Sequence, residues 1–371
     1  MFPTIGHLLS DLTGLSLYLP LPTFGFVMTL SFVAAFWIFR SEYKRKEAGG
    51  LIHPFTEPYT EMASTTGGRL LILSGWGILG FVIGAKTMYA WVNRSFYIGA
   101  LPDFLFSLRG SWPGGIAVGF LALLAAWGFQ RRRPASKTME TSHTVHPYQL
   151  MDRILLYCGI SGFAGAILFA RLEGQAGLNY YGALIAGALT YLYINRRHGI
   201  PPAIAADIGS PGMMLAYGLG RIGCHLAGDG DWGIVNTSPQ PSWLHWTPAW
   251  TWSFRFPHNA IHQGNYIPGC ADNYCNILPN PVYPTSFYEA VICLLLFTAL
   301  WTLRTRIRRT GLLFAIFALL NGVERFTIEY IRITPRYPIG SWNLSQAQII
   351  AAGWIIAGLL ALTFSLKKRA A

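Results

Sequence analysis

Charge is what this sequence lacks most. Asp, Glu, Lys and Arg make up 12% of its 371 residues, against about 25% in ordinary soluble domains. Its 16 acidic residues cannot solvate the two or three domains that such a length would otherwise form, which excludes a soluble architecture. Cysteine is scarce too, five in all, so a disulfide scaffold is excluded. Only Cys270 and Cys275 sit together in a polar segment, where an oxidising exterior permits a disulfide. Cys158, Cys224 and Cys293 fall within apolar runs and read as small packing residues. No cleavable signal is expected, because the first long apolar run starts after Pro22 and no small-residue cleavage site follows it.

What the chain has instead is apolar bulk, 52% of its residues, and 28 Lys and Arg that give a formal net charge of +12. In a soluble protein that charge would point to nucleic acid. Here the basic residues cluster between apolar runs, at 40–46, 131–137, 196–198, 304–309 and 367–369. This is the pattern of loops held on the cytoplasmic side of a membrane, and no nucleic-acid partner is expected. A helix needs about 20 largely apolar residues to cross the hydrocarbon core. Nine runs qualify, near 23–39, 69–91, 113–129, 152–172, 177–194, 203–226, 286–303, 311–331 and 345–366. If the first runs from outside to inside, all five basic clusters fall on the cytoplasmic side and the polar segments near 93–111, 227–285 and 332–344 face outward.

The expected fold is therefore an all-α polytopic membrane protein of about nine transmembrane helices, N-terminus outside and C-terminus inside, with a small outer head. Residues 1–22 make an outer N-terminal arm, 23–226 carry helices one to six, 227–285 the head, 286–366 helices seven to nine, and 367–371 a cytoplasmic tail. Trp232, Trp243, Trp246, Trp250 and Trp252 crowd the head, as suits indoles at a membrane interface. A glycine-rich echo between Gly80–Ala85 and Gly162–Ala166 fits either a duplicated helix pair or chance.

A charge at a helix centre in the bilayer costs about 2.5–3.5 kcal/mol on insertion scales, so each one needs a reason. Three places stand out. In the sixth run Gly212, Ala216, Gly220, Cys224 and Gly228 recur every fourth residue, a small-residue face that admits another helix or a lipid chain, with Arg221 beside it. In the eighth run Arg325, Glu329 and Arg332 have the spacing of one helical stripe. Tyr288 and Glu289 open the seventh. One reading is a structural network, with Arg325 paired to Glu329 and the other arginines snorkelling. The other is a phospholipid headgroup site, because the guanidinium fork gives a phosphodiester two parallel hydrogen bonds and stays charged when desolvated.

Gly220-Arg-Ile-Gly-Cys-His-Leu-Ala-Gly-Asp resembles the Gly-Arg-x-Gly-Asn-Phe-x-Asn-Gly-Glu signature of bacterial phosphatidylglycerol–prolipoprotein diacylglyceryl transferases. Pro284-Thr-Ser-Phe-Tyr-Glu289 is similar to that family's Pro-Ser-Gln-Leu-Tyr-Glu segment, and Gly322-Val-Glu-Arg-Phe-x-x-Glu-x-x-Arg332 to its Gly-x-x-Arg-x-x-x-Glu-x-x-Arg helix. Gly177-Leu-Asn-Tyr-Tyr-Gly-Ala-Leu-Ile185 and Arg196-Arg-His-Gly-Ile-Pro201 resemble two further motifs upstream. The resemblance covers the first helix and about residues 150–366, in order, and identifies the chain as a divergent member.

The resemblance implies a seven-helix core, extended here by an extra pair at about 69–129. It also implies an activity in the bacterial inner membrane: diacylglycerol passes from phosphatidylglycerol to the lipobox cysteine of a prolipoprotein, and glycerol phosphate is released. The partners would be phosphatidylglycerol, prolipoprotein signal peptides and the lipid bilayer, with no cofactor and no metal. Arg221 and Arg325 would neutralise the departing phosphate, Glu329 and Arg332 would orient them, and Gly223 and Gly228 would give the lipid room. Cys224, Tyr288, Glu289 and Phe24 would line the substrate site.

Three positions depart from the family pattern: its histidine is Tyr181, its signature asparagine is Cys224 and its first-helix tyrosine is Phe24. Tyr181 would then serve as donor or relay, with His225, Asp229 and Asp231 the alternatives for taking a proton. Two other functions compete. One is a non-catalytic phospholipid-binding or lipid-transport protein. The other is an intramembrane aspartyl protease, formally suggested by Gly228-Asp-Gly-Asp231, whose only acidic partner in the same run, Asp207, lies near the opposite end.

Overall fold

The computed structural model describes residues 1–15, 19, 21–58, 66–92, 111–132, 142–172, 180–340 and 342–367. The polar segment 93–110, most of the basic cluster at 131–137, the start of the Gly177 motif and the tail from 368 lie outside the described residues. Among those described, each apolar run coincides with a long helix. A short helix α1 (Ile5–Thr13) comes first, then α2 (Thr23–Ala48), α3 (Thr66–Val92), α4 (Trp112–Arg132), α5 (Leu150–Leu172) and α6 (Tyr180–Arg197). There follow α7 (Pro202–Ala227), α8 (Thr285–Arg306), α9 (Leu312–Ile328) and α10 (Gln346–Lys367). Four of them, α2, α5 with the turn before it, α8 and α10, are long and apolar enough to cross a membrane.

The described strands form two-stranded pairs: β1 (Phe55–Pro58) with β2 (Ser142–Val145), β3 (Asn265–Tyr266) with β4 (Asn276–Ile277), and β5 (Arg336–Ile339) with β6 (Trp342–Ser345). Basic residues occupy the last turns of α2 (Arg45, Lys46), α6 (Arg196, Arg197) and α8 (Arg304, Arg306), where the negative end of the helix dipole favours them.

The chain divides into two compact units. One holds Thr56–Val145 with the short stretch Tyr18–Leu21. In it α3 and α4 cross so closely that a Cβ on Gly84 would stand 2.3 Å from the carbonyl oxygen of Gly114. The other unit holds Met1–Leu17, Pro22–Phe55 and His146–Ala371. There α5 and α6 cross at Gly165 and Gly182 in the same manner, so both halves of the glycine echo mark a helix crossing.

Within the second unit α7 packs against α2, α8 and α9. The small-residue face of α7 receives α2: a Cβ on Gly212 would meet the Phe39 ring at 2.4 Å, and one on Gly223 would meet Val27 at 3.2 Å. Of the two occupants this face admitted, it is a helix that fills it. Met214, Cys293, Leu300, Leu313 and Phe317 form the core where α7, α8 and α9 meet. At the start of α9 the backbone N–H groups of Gly311 and Phe314 donate to Asp207 of α7 over 2.7 and 2.9 Å. Asp207 thus satisfies orphan helix donors and has Lys46 at 3.8 Å. It is committed far from Asp229 and Asp231 along the chain, which removes the pairing an aspartyl protease needs.

Between α7 and α8, residues 228–284 wind irregularly around Trp232, Phe256, Leu278 and Val282. Cys270 and Cys275 are joined there by a disulfide. His7 of α1 meets Asp272 in the same loop at 2.6 Å. Trp243 and Trp246 are exposed, whereas Trp232 is buried.

Candidate functional site: arginines around a buried carboxylate

The site forms where the ends of α7 and α9 meet the beginning of α8. Glu289, one turn into α8, is fully buried. Its Oε1 accepts from Arg325 Nη1 at 2.7 Å and from the Tyr217 hydroxyl at 2.9 Å. Its Oε2 accepts from Arg332 Nη1 at 2.8 Å, and Arg221 Nε lies 3.4 Å away. Three guanidinium groups from α7, α9 and the chain beyond α9 therefore converge on one carboxylate. Such convergence meets the requirement that a buried charge be paired and hydrogen-bonded.

Asp231 closes the second side, its two carboxylate oxygens taken by Arg221 and Arg332. Burial alone would raise its pKa, but Arg221 and Arg332 outweigh burial and hold it below the ordinary carboxylate value. The backbone fixes this arrangement. Ile234 N–H donates to the Ile331 carbonyl at 2.9 Å, Gly233 bridges Arg332, and the Thr285 hydroxyl donates to the Asp231 carbonyl at 3.0 Å. A Cβ on Gly233 would stand 2.4 Å from the Ile331 oxygen, so only glycine permits the approach.

Several expectations need correcting. Arg325, Glu329 and Arg332 do not share one helical stripe: α9 ends at Ile328, Glu329–Ile331 form a tighter 3₁₀ turn, and Arg332 is extended. The Gly233 bridge pulls the chain out of the helix, yet Glu329 stays within 3.2 Å of Arg325 and 3.8 Å of Arg332. The main partner of Arg325 is Glu289. Gly223 and Gly228 do not leave open room, since Val27 faces the first and Asn259 the second, which also caps α7 with a φ of +65°. Tyr288 turns toward the irregular segment, its hydroxyl 3.4 Å from the Trp252 carbonyl.

The remaining expected residues are spread around the cluster. Asp229 accepts from the Asp231 N–H at 3.3 Å, and burial followed by the Asp231 charge raises its pKa. Cys224 is a buried free thiol, and its sulfur with oxygens of Asp229 and Asp231 forms a group within 4.8 Å. Of this group, Asp231 already has both oxygens engaged by arginine. His225 is boxed by Trp250, Phe254, Phe256 and Phe287. Phe24 sits exposed in the first turn of α2, and Tyr181 half-buried in the first turn of α6.

The tyrosine hydroxyl found on Glu289 is that of Tyr217, which sequence reasoning passed over. Its one signal was a position four residues before Arg221, where its ring lies 5.1 Å under that guanidinium.

A family model for prolipoprotein diacylglyceryl transferase matches residues 168–364, more than half of the chain, and spans every member of this cluster. The chain belongs to that family. Similar proteins carry the name phosphatidylglycerol–prolipoprotein diacylglyceryl transferase. One from Xanthomonas campestris pv. campestris (strain B100) is 28% identical over 211 residues, 54% of this chain and 64% of its own length. One from Stenotrophomonas maltophilia (strain R551-3) is 25% identical over 267 residues, covering 66% and 85%. One from Xylella fastidiosa (strain 9a5c) is 28% identical over 204 residues, covering 52% and 64%. The chain thus spans somewhat under two thirds of the length of the Xanthomonas and Xylella relatives. Within the prolipoprotein diacylglyceryl transferase family this chain is a helical, multi-pass membrane protein with its arginine cluster inside the matched region.

Proposed function

We propose that this protein transfers diacylglycerol from phosphatidylglycerol to the lipobox cysteine of prolipoproteins, releasing glycerol phosphate, in the bacterial inner membrane. The observation that carries the reading is the convergence of Arg221, Arg325 and Arg332 on Glu289 and Asp231. A phosphodiester presents the same pair of charged oxygens as those carboxylates, so the arginines are already arranged for it. In the reaction the cysteine sulfur forms a bond to the glycerol carbon that bears the phosphate. The C–O bond breaks, its electron pair stays on the phosphate oxygen, and the thiol gives up its proton. Arg221 and Arg325 hold the phosphate as that charge grows, as fixed donors held in place beforehand.

The same reading makes the chain cross the membrane about nine times, N-terminus outside and C-terminus inside, with residues 227–285 on the outer leaflet beside the site. Basic last turns on α2, α6 and α8 and exposed Trp243 and Trp246 support it. Single-cysteine labelling is expected to reach position 240 from outside and 308 from inside; the reverse at either would overturn the topology. For the activity, purified protein with phosphatidylglycerol vesicles and a lipobox peptide is expected to release glycerol phosphate and shift the peptide mass by one diacylglyceryl group. Binding of phosphatidylglycerol with no release would favour a non-catalytic lipid-binding protein.

A further inference from the structure

The proposed reaction needs a destination for the thiol proton, and most carboxylates around the arginines are already engaged. Glu289 accepts from Tyr217 and two arginines, Asp231 from two arginines, and Glu329 lies 3.2 Å from Arg325. Asp229 receives the Asp231 N–H and lies beside Cys224. Glu329 likewise has no aligned hydrogen-bond donor on either oxygen, but it is held in ion pairs by Arg325 and Arg332. Glu324 differs from them all: it is 4% exposed, and its carboxylate oxygens have neither a hydrogen-bond donor nor an ion-pair partner among the described residues.

The position makes this burial unusual. Leu313, Phe317, Leu320 and Glu324 recur at helical spacing along α9, and the first three pack in the core with Met214 and Cys293 of α7 and α8. Glu324 continues that apolar stripe one residue before Arg325, within electrostatic range of Glu289, Arg325, Arg221 and Arg332. An aliphatic side chain would complete the packing, whereas an unpaired buried polar group costs about 1–3 kcal/mol. A buried group left unsatisfied at such cost calls for a role beyond packing.

We propose that Glu324 is the proton acceptor for the attacking thiol, an inference that rests on the transfer reaction proposed above. The S–H proton passes to the Glu324 carboxylate as the sulfur electron pair forms the C–S bond. The C–O bond breaks with its pair on the phosphate oxygen. The proton then leaves Glu324 for the released phosphate ester, which restores the carboxylate. Free oxygens fit the task, since a carboxylate saturated by guanidinium donors has no lone pair directed at a substrate.

The test uses the full-length protein in phosphatidylglycerol vesicles with a lipobox peptide, read by glycerol phosphate release. Absence of release by the unsubstituted protein would overturn the transfer reading and this inference together. With that protein active, Glu324→Gln is expected to lower kcat at pH 7 by about 100-fold or more, with KM for phosphatidylglycerol within about threefold. Its residual rate should climb about tenfold per pH unit toward the thiol pKa near ~8.5, because only pre-ionised thiolate then reacts. Glu324→Leu, which completes the stripe, should melt at or above the temperature of the parent and show the same pH-dependent deficit. It stands in if the glutamine variant fails to fold. Turnover within about threefold of the parent at pH 7 in a folded variant, or an equal fractional loss at every pH, would overturn the assignment while leaving the transfer reaction intact.

Discussion

Arg325 donates to Glu289 over 2.7 Å, across two helices, and lies farther, 3.2 Å, from Glu329 one turn along its own chain. Glu289 is therefore the hub on which the cluster depends. Removing it by Glu289→Ala leaves three guanidinium groups, Arg332 buried and Arg221 and Arg325 half-buried, short of an acceptor. The expected loss is about 3–5 kcal/mol of stability, read as a fall in melting temperature in detergent, with transfer nearly abolished. Glu289→Gln keeps the shape and should cost less stability while still impairing transfer.

Arg221 and Arg325 approach opposite oxygens of that carboxylate. Lysine at either position keeps the charge but loses the planar fork, so Arg221→Lys and Arg325→Lys are expected to stay well below parental turnover. Alanine at either should nearly abolish transfer in a protein that still inserts. A folded alanine variant with near-normal glycerol phosphate release would remove both from the phosphate site.

The two tyrosines give a contrast. Tyr217→Phe deletes a hydrogen bond to a buried carboxylate, worth about 1.5–3 kcal/mol, and should lower turnover by about tenfold or more if Glu289 then shifts. Tyr181→Phe tests the position where the family carries histidine. Unchanged turnover there would show that its hydroxyl has no role.

Packing of α2 on α7 can be tested away from the chemistry. Gly212→Val places its branched carbon where the Phe39 ring already stands, 2.4 Å from the Cβ position. Overpacking of this kind costs about 1–3 kcal/mol, so the variant should melt earlier, with any loss of turnover following loss of fold.

Acid should weaken the cluster in a definite window. The folded pKa of Asp231 is depressed: burial opposes this, and Arg221 and Arg332 prevail. Its stabilising contribution is therefore complete above the ordinary value of about 3.9 and is lost as pH falls through the depressed folded value. Thermal melts of Asp231→Asn should show a shallower fall in stability over that acid range than the parent. Parallel curves would mean that Asp231 contributes nothing to it.

The helices were legible in the sequence because apolar runs of membrane length are hard to produce otherwise, and their basic ends agree. Arg221, Glu289 and Arg325 were legible as charges in apolar surroundings. Their partnership was not, because Glu289 collects its donors from α7, α9 and the chain beyond α9, and no local spacing encodes that. The end of α9 was equally hidden. Thr327 to Arg332 contain neither proline nor glycine, and the stop is imposed from outside by the bridge to Gly233. Tyr217 was passed over because a lone tyrosine on an apolar helix carries no signal of a carboxylate partner. Gly223 and Gly228 looked like room, because a small-residue face does not reveal whether a helix, a loop or a lipid fills it.

Asp207 holds the start of α9, and Arg221, fourteen residues later on α7, shares Glu289 with Arg325, fourteen residues after Gly311. Both intervals correspond to about 21 Å of helix. The two parallel helices are thus pinned like the rails of a ladder at matching heights, and neither can slide or rotate without releasing a rung. Adding or deleting one residue between the pins in α7 alone would turn Arg221 by about 100° from Glu289 while Asp207 stayed in place. The length between the pins, and not only the residues at them, sets the reach of the arginines.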